Sequence, residues 1–482
     1  MSGAANQKEF TLREWQITKA REYPFPGREG SPPMIPLNDP EGRRLPIKLD
    51  STSNGEFVPV PLSAANRAAN RLAHEAASSI SRKLNVSRRT FLVSACGAAS
   101  TLLAFNSAHG TSGGFFELEK ESAFDLPLAR VQTGPAKDEL IFDVQGHFID
   151  TPKGNPKSAE VFIKDVFMDS DTDLMVLSFV PSAREAEPVT IQAADAVRRI
   201  VDKLQGTHRL LLHGRVNPNQ PGDLEGMDEL AQKWGVSAWK TYTQYGPGGK
   251  GYFLSDDVGT RFIERARRLG VKVICVHKGL PFGSRSYEHS QCSDIGVVAK
   301  RFPDVKFLIY HSGFVTSVTE GPYGKNDGLD TLIRSLIENG VKPGSNVYAE
   351  LGSTWRFLMR DPEQAAHALG KLILHCGENN VLWGTDSIWY GSPQDQIVAF
   401  RTFQISPQFR ERYGYPGITP ALRAKIFGLN GAKGYGLSAA ELKKYTRRDE
   451  VARKRTAYLE NPSPHFLTYG PKTRREFLAL HE

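Results

Sequence analysis

Cysteine is scarce in this chain: 482 residues carry four, Cys96, Cys275, Cys292 and Cys376. None stands in a C-x-x-C pair, which argues against a thiolate zinc site, and the four do not suggest a disulfide framework. Cys275 lies inside an apolar run and reads as a buried thiol. The apolar stretch Val93 to Phe105 falls short of the about 20 residues that a membrane-spanning helix needs. Acidic residues are outnumbered, 53 Asp+Glu against 61 Lys+Arg, for a net charge of +8. Much of the excess sits in the first hundred residues and in Lys443-Lys444-Tyr445-Thr446-Arg447-Arg448, Arg453-Lys454-Arg455 and Lys472 to Arg475. No recognisable module interleaves these basic residues with stacking aromatics, so the runs read as a solvated basic tail and no nucleic-acid partner is expected. At 40% hydrophobic and 24% charged, the composition is that of an ordinary globular enzyme with a sizeable core.

What is there begins with a Pro- and Ala-rich extension, residues 1–86, that lacks sustained periodicity. Arg21 to Pro61 reads as extended or disordered, and Ala64 to Leu84 as a helix. Ser87-Arg88-Arg89-Thr90-Phe91-Leu92 resembles the twin-arginine export motif, and the weakly apolar run after it completes a signal-like segment over residues 87–109. Its distance from the amino terminus is unusual, and Ser107-Ala108 is a poor cleavage site. The expectation is export to the periplasm with the twin-arginine machinery as a partner; a cytoplasmic location is the alternative. Residues 110–138 read as a linker.

From Leu140 a strand–helix alternation sets in. Predicted strands cover Leu140–His147, Leu174–Val180, Arg209–Val216, Ala238–Thr243, Val271–His277, Val305–His311, Asn346–Leu351 and Val381–Asp386. Helices are predicted between them, among others Leu224–Trp234, Asp256–Leu269, Leu329–Glu338 and Pro362–His375. Eight such units predict an α/β fold, a (β/α)₈ TIM barrel over residues 139–437, with a basic carboxyl-terminal extension over 438–482. An open doubly wound sheet would want a Gly-rich phosphate turn after its first strand, and Gln145-Gly146-His147 is not one.

In such barrels chemistry gathers at the carboxyl ends of the strands. The predicted ends carry Gln145 and His147, Lys240, His277, His311 and Asp386. Gln145 and His147 are two apart on a strand, so their side chains point the same way. A lone histidine is most often structural, but three strands ending in His and one in Asp converge on a single barrel mouth. Imidazole and carboxylate are the ligands of a catalytic divalent ion, zinc being the expected one. His213 lies inside the third strand with nothing to pair it to this set. Arg215, Lys240 and Tyr242 are candidates for binding an anionic or aromatic small-molecule substrate.

Several segments carry a resemblance: Ile141-Phe142-Asp143-Val144-Gln145-Gly146-His147, Phe302 to Phe307 leading to His311-Ser312-Gly313, Asn346 to Glu350, Trp383-Gly384-Thr385-Asp386, and Lys425 to Ala432. Residues 140–437 are similar to the amidohydrolase superfamily, in the amidohydrolase-related branch that includes aminocarboxymuconate-semialdehyde decarboxylase. The resemblance implies His147 and His277 as metal ligands, Asp386 as a ligand or the base for a metal-bound water, and His311 as the catalytic histidine. The chain departs from that pattern at Gln145, where a first histidine is usual. Gln145 is expected as a weak ligand, with a three-ligand site or a metal-free binding barrel as alternatives. The resemblance also implies a reaction: metal-dependent hydrolysis of a small amide, ester or lactone, or else decarboxylation of an aromatic or unsaturated acid. Self-association is left open.

Overall fold

The computed structural model describes residues 39–149, 158–203, 208–281, 286–444 and 449–480. Eight strands form one parallel sheet in chain order: β1 (Phe142–Gly146), β2 (Leu174–Leu177), β3 (Leu210–Arg215), β4 (Ala238–Tyr242), β5 (Val273–His277), β6 (Lys306–Tyr310), β7 (Val347–Glu350) and β8 (Val381–Leu382). The sheet closes on itself. Val144 N donates to Trp383 O at 3.1 Å, Asp386 N to Gln145 O at 3.0 Å and Ile388 N to His147 O at 3.2 Å. The result is the (β/α)₈ barrel the alternation predicts. The strands read as apolar runs because helices cover their outer face and side chains fill the interior. Phe142, Val144, Cys275, Leu308, Tyr310 and Leu382 share one buried cluster there.

Helices form where caps and apolar stripes coincide. Asp361 accepts from Gln364 N, Pro362 takes the first turn, and Gly377 (φ 103°) ends the helix Pro362–Cys376. The helix Leu329–Glu338 has the predicted bounds. β8 is shorter than predicted. After Leu382 the chain leaves the ladder with β7, and Asp386 takes a left-handed φ of 58°, which a regular strand cannot hold.

The amino-terminal region differs most from its sequence reading. Residues 39–63 form no regular helix or strand, yet Leu45, Ile47, Leu49, Asp50 and Ser53 are buried. Ser63 caps the helix Ala64–Lys83, and Ser94 caps a second helix, Ala95–His109. That second helix, read from sequence as part of a signal, is core: Leu102 and Phe105 pack in the same cluster as Phe116, Trp355 and Phe403. Each such side chain contributes about 1.5–3 kcal/mol by leaving water. Arg88 of the paired arginines reaches the His74 ring, while Phe91 and Leu92 are buried. The stretch read as a linker is not one. Gly114–Phe116 pairs antiparallel with Phe403–Ile405, and Asp125 caps a helix over Leu126–Thr133.

The carboxyl-terminal extension keeps the basic side chains of Arg453, Lys454, Arg474 and Arg475 exposed, as expected of a solvated run, but its backbone is tied to the rest of the chain. Residues 445–448 of the basic run lie outside the described residues, as do residues 1–38 of the amino-terminal extension. Beyond the run, the chain returns across the amino-terminal segment. Ser53 N donates to Pro471 O at 2.9 Å, Ser51 Oγ to Lys472 O at 3.1 Å, and Tyr469 and Gly470 both donate to Trp389 O at 2.8 Å. No helix among the described residues is long and apolar enough to cross a membrane.

Candidate metal centre and active site

The site is built at the carboxyl ends of the strands, on backbone that bends sharply out of the barrel. His311, Ser312, Ser353 and Asp386 all hold positive φ, between 53° and 64°. Each costs of order 1–3 kcal/mol, and such strain gathers where side chains must be aimed. Below them Asp143 braces β1 to the end of β8, accepting from Gln145 N and Thr385 N, each at 3.1 Å.

Asp386 is the most heavily hydrogen-bonded group. Oδ1 lies 3.0 Å from His147 Nε2 and accepts from Gln145 Nε2 at 3.0 Å; Oδ2 accepts from Ser353 Oγ at 2.5 Å and from Asn54 Nδ2 at 2.8 Å. Burial pushes this carboxyl up, but the His147 contact, the His311 ring and the Ser353 hydroxyl prevail and hold it below the usual carboxylate range. It is a fixed anion.

His277 and His311 face each other with ring centroids 4.5 Å apart. His277 Nε2 donates to the carbonyls of Gly279 and Leu280, at 3.1 and 3.3 Å, which leaves Nδ1 as the lone-pair atom. His311 Nδ1 donates to Gly352 O at 2.7 Å, which leaves Nε2. Both lone-pair nitrogens are buried and have no hydrogen-bond partner among the described residues. Burial lowers both rings, His311 to about 4 and His277 well below its ordinary value, so each is neutral at pH 7. Between them stands Glu56, its Oε1 3.4 Å from His277 Nδ1 and its Oε2 3.8 Å from His311 Nε2. Burial, then the Asp386 charge, push the Glu56 carboxyl well up.

The structure thus brings five of the sequence-predicted residues together in two linked groups: Gln145, His147 and Asp386, then His277 and His311. Asn54 joins them, donating from Nδ2 to both Asp386 and Glu56, the latter at 2.6 Å. Gln145 turns its amide nitrogen toward Asp386, while its buried Oε1 has no partner among the described residues. His147 Nδ1 is likewise without one. These orphaned acceptors suit a divalent cation, which needs deprotonated nitrogen and oxygen ligands.

Two candidates for substrate binding are placed otherwise. Arg215 is held by Glu187 (2.5 Å) and Asp223 (3.4 Å) and by Ser182 O at 3.3 Å; the two carboxylates, unremarkable in sequence, engage it and tie loops together. The Tyr242 hydroxyl donates to Phe179 O at 2.8 Å, and its ring stacks on His277 with centroids 4.8 Å apart, so it buttresses a site histidine. Lys240 stays uncommitted. Fully buried, its Nζ lies 3.8 Å from the Tyr310 ring centroid and has no hydrogen-bond partner among the described residues. Burial brings it down to about 8, against the carboxylates around it. His213 binds Ser178 Oγ and Tyr435 OH, at 3.1 and 2.7 Å, as a structural residue would.

Sequence reasoning missed three groups. Asn54 and Glu56 come from a polar stretch with an Asn-Gly turn signal, and nothing in its periodicity points to the barrel. Glu350, at the end of β7, accepts from His311 N at 2.9 Å and Gly352 N at 2.6 Å, and burial pushes it up to about 8. An acidic residue ending an apolar strand is the signal that marks it.

No curated protein sequence matches the chain. Solved structures similar to it include 2,6-dihydroxybenzoate decarboxylase from Rhizobium, at 17% identity and TM-score 0.37 over 62% of this chain and 99% of that one. Dihydroorotase from Saccharomyces cerevisiae is similar at 13% identity and TM-score 0.40, over 63% of this chain and 86% of the other. 4-Oxalomesaconate hydratase from Rhodopseudomonas palustris is similar at 16% identity and TM-score 0.39, over 67% and 100%. The family model described as amidohydrolase matches residues 142–437, the whole barrel and more than half of the chain, and the protein belongs to the amidohydrolase family.

Proposed function

We propose that the protein is a divalent-metal-dependent hydrolase acting on a small amide, ester or lactone at the barrel mouth. One observation carries this reading: two buried, neutral imidazoles present unshared lone pairs to each other and to a carboxylate, beside a second carboxylate that stays ionised. His277 and His311 with Glu56, and the His147–Asp386 pair beside them, are the residues that would hold the ion. A metal bound there supplies Lewis acidity, which lowers the pKa of water and polarises a carbonyl. The chain's own residues do the rest. His311 Nε2 faces the ion-holding group, so a proton from an attacking group passes to the ionised Asp386 carboxylate and from there to a leaving group. Asp386 orients His147 through the 3.0 Å contact. Burial of the whole set excludes water, which strengthens each of these interactions.

A second reading, decarboxylation of an aromatic or unsaturated carboxylic acid, is favoured by Lys240. A buried ammonium without a hydrogen-bonding partner suits a substrate carboxylate. One screen separates the two readings: the metal-loaded protein against lactones, esters and amides, and against hydroxybenzoates, with carbon dioxide release monitored. Hydrolysis abolished in His277→Ala supports the first reading; release of carbon dioxide alone supports the second. Turnover unaffected by His277→Ala in both panels would overturn the site assignment.

A further inference from the structure

We propose that Glu56 is a metal ligand delivered to the barrel by the amino-terminal segment, so that residues 39–109 are part of the catalytic body. The inference rests on the metal-site reading above and adds a ligand that lies outside the barrel altogether.

The tautomers of His277 and His311 are set by the carbonyls they donate to, so neither facing nitrogen carries a proton. Glu56 presents two oxygens to them at 3.4 and 3.8 Å. Two acceptor nitrogens and a carboxyl group are directed at one another in one buried site, an arrangement that a shared cation makes favourable. Two ligands each about 2 Å from a tetrahedral ion stand about 3.3 Å apart, near the spacing seen here. The three groups have ligand atoms within 4.8 Å of one another. Charge points the same way. β1 offers the neutral Gln145, whose amide nitrogen is turned to Asp386, so the carboxyl groups at this mouth are Asp386 and, facing the two imidazoles, Glu56.

Glu56 is held as a built ligand would be. Gly55 takes φ 93°, and Ser53 Oγ accepts from Gly55 N at 3.0 Å and donates to Phe57 O at 2.5 Å. Asn54 Oδ1 accepts from Glu56 N at 2.9 Å, while its Nδ2 donates to Glu56 Oε2. Phe57 packs edge-on against Phe357 at 6.2 Å. Upstream, Asp50 is locked to Arg356 at 2.5 Å, with both side chains almost wholly buried. The turn is fixed from both sides, so the carboxylate is pre-aimed. Cleavage at Ser107-Ala108 would remove it together with the core residues Phe91, Leu102 and Phe105.

The test uses the full chain and zinc or manganese as probe, with affinity measured by competition against a chromophoric chelator. Glu56→Gln, which keeps the shape and hydrogen bonds of the side chain, is expected to weaken metal binding by at least about 100-fold. Glu56→Asp is expected to restore part of that loss. Limited proteolysis within residues 39–60 checks that the segment stays docked in both variants. Binding by Glu56→Gln within about threefold of the parent, while His277→Ala loses the ion, would overturn this proposal and leave the metal-site reading standing. A parent protein that binds neither ion would overturn both.

Discussion

Replacing Arg356 by Met should undo the anchoring of the amino-terminal segment, and the size of the effect follows from burial. The guanidinium and the Asp50 carboxylate are 2% and 1% exposed and stand 2.5 Å apart. Met keeps most of the apolar stem and removes the charge. Asp50 then retains hydrogen bonds from Thr52 Oγ1 at 2.5 Å and Thr468 Oγ1 at 3.3 Å, but no buried counter-charge so close. An uncompensated buried charge costs about 3–5 kcal/mol. Urea unfolding should show a loss of that order for Arg356→Met. The double variant with Asp50→Asn should recover part of it, because the stranded charge is then gone. Residues 39–60 should become protease-sensitive in the single variant, and metal affinity should fall, since Asp50 lies six residues before Glu56. A loss below about 1 kcal/mol, typical of a surface pair, with the segment still protected would refute the reasoning.

Three further outcomes are expected. A Cβ on Gly384 would fall 1.6 Å from Glu350 Oε1, so Gly384→Ala must displace a carboxylate that two backbone amides hold, at roughly 3–6 kcal/mol; thermal unfolding within a degree of the parent would contradict this. Folding lowers Lys240 to about 8 from 10.5, so the unfolded chain binds that proton more tightly and the cost of up to about 3 kcal/mol is fully present at pH 7 and relieved between pH 8 and 10.5. Lys240→Met should therefore leave the fold as stable or stabilise it, while raising KM for any carboxylate substrate; destabilisation with KM unchanged would sink the assignment. His311 shifts the same way, from 6.5 to about 4, so its contribution is intact above pH 6.5 and up to about 3 kcal/mol is lost as pH falls to 4. In metal-free protein, His311→Asn should flatten the stability profile across that window relative to the parent, as read by denaturant midpoints; parallel profiles would argue against a buried neutral imidazole.

The barrel was legible because its signals are local and repeated. Apolar runs such as Val273–His277 recur eight times over, with capped helices such as Pro362–Cys376 and stops such as Gly270 among the segments between them, and alternation on β1 set Gln145 and His147 side by side. The strand-end residues converge because the topology forces them to. The rest depends on long-range contact. Nothing between Asp50 and Glu56 has a period, so its place over the barrel mouth is set by Arg356 and Pro471, some 300 and 420 residues away. The helix Ala95–His109 is weakly apolar all round, which suits a signal segment and a buried helix equally well; packing beside Trp355 and Phe403 is what separates them. Arg215 looked available for a substrate because its partners Glu187 and Asp223 sit in loops whose folding sequence patterns do not reveal.

The central claim is that the barrel mouth and the amino-terminal segment together make one metal site. Anomalous scattering from crystals of the full chain, grown with zinc or manganese and measured at that metal's absorption edge, tests it most directly. The account predicts a peak within coordination distance of Glu56, His277 and His311. A peak held by barrel residues alone with Glu56 turned away, or no peak at the mouth, would contradict it.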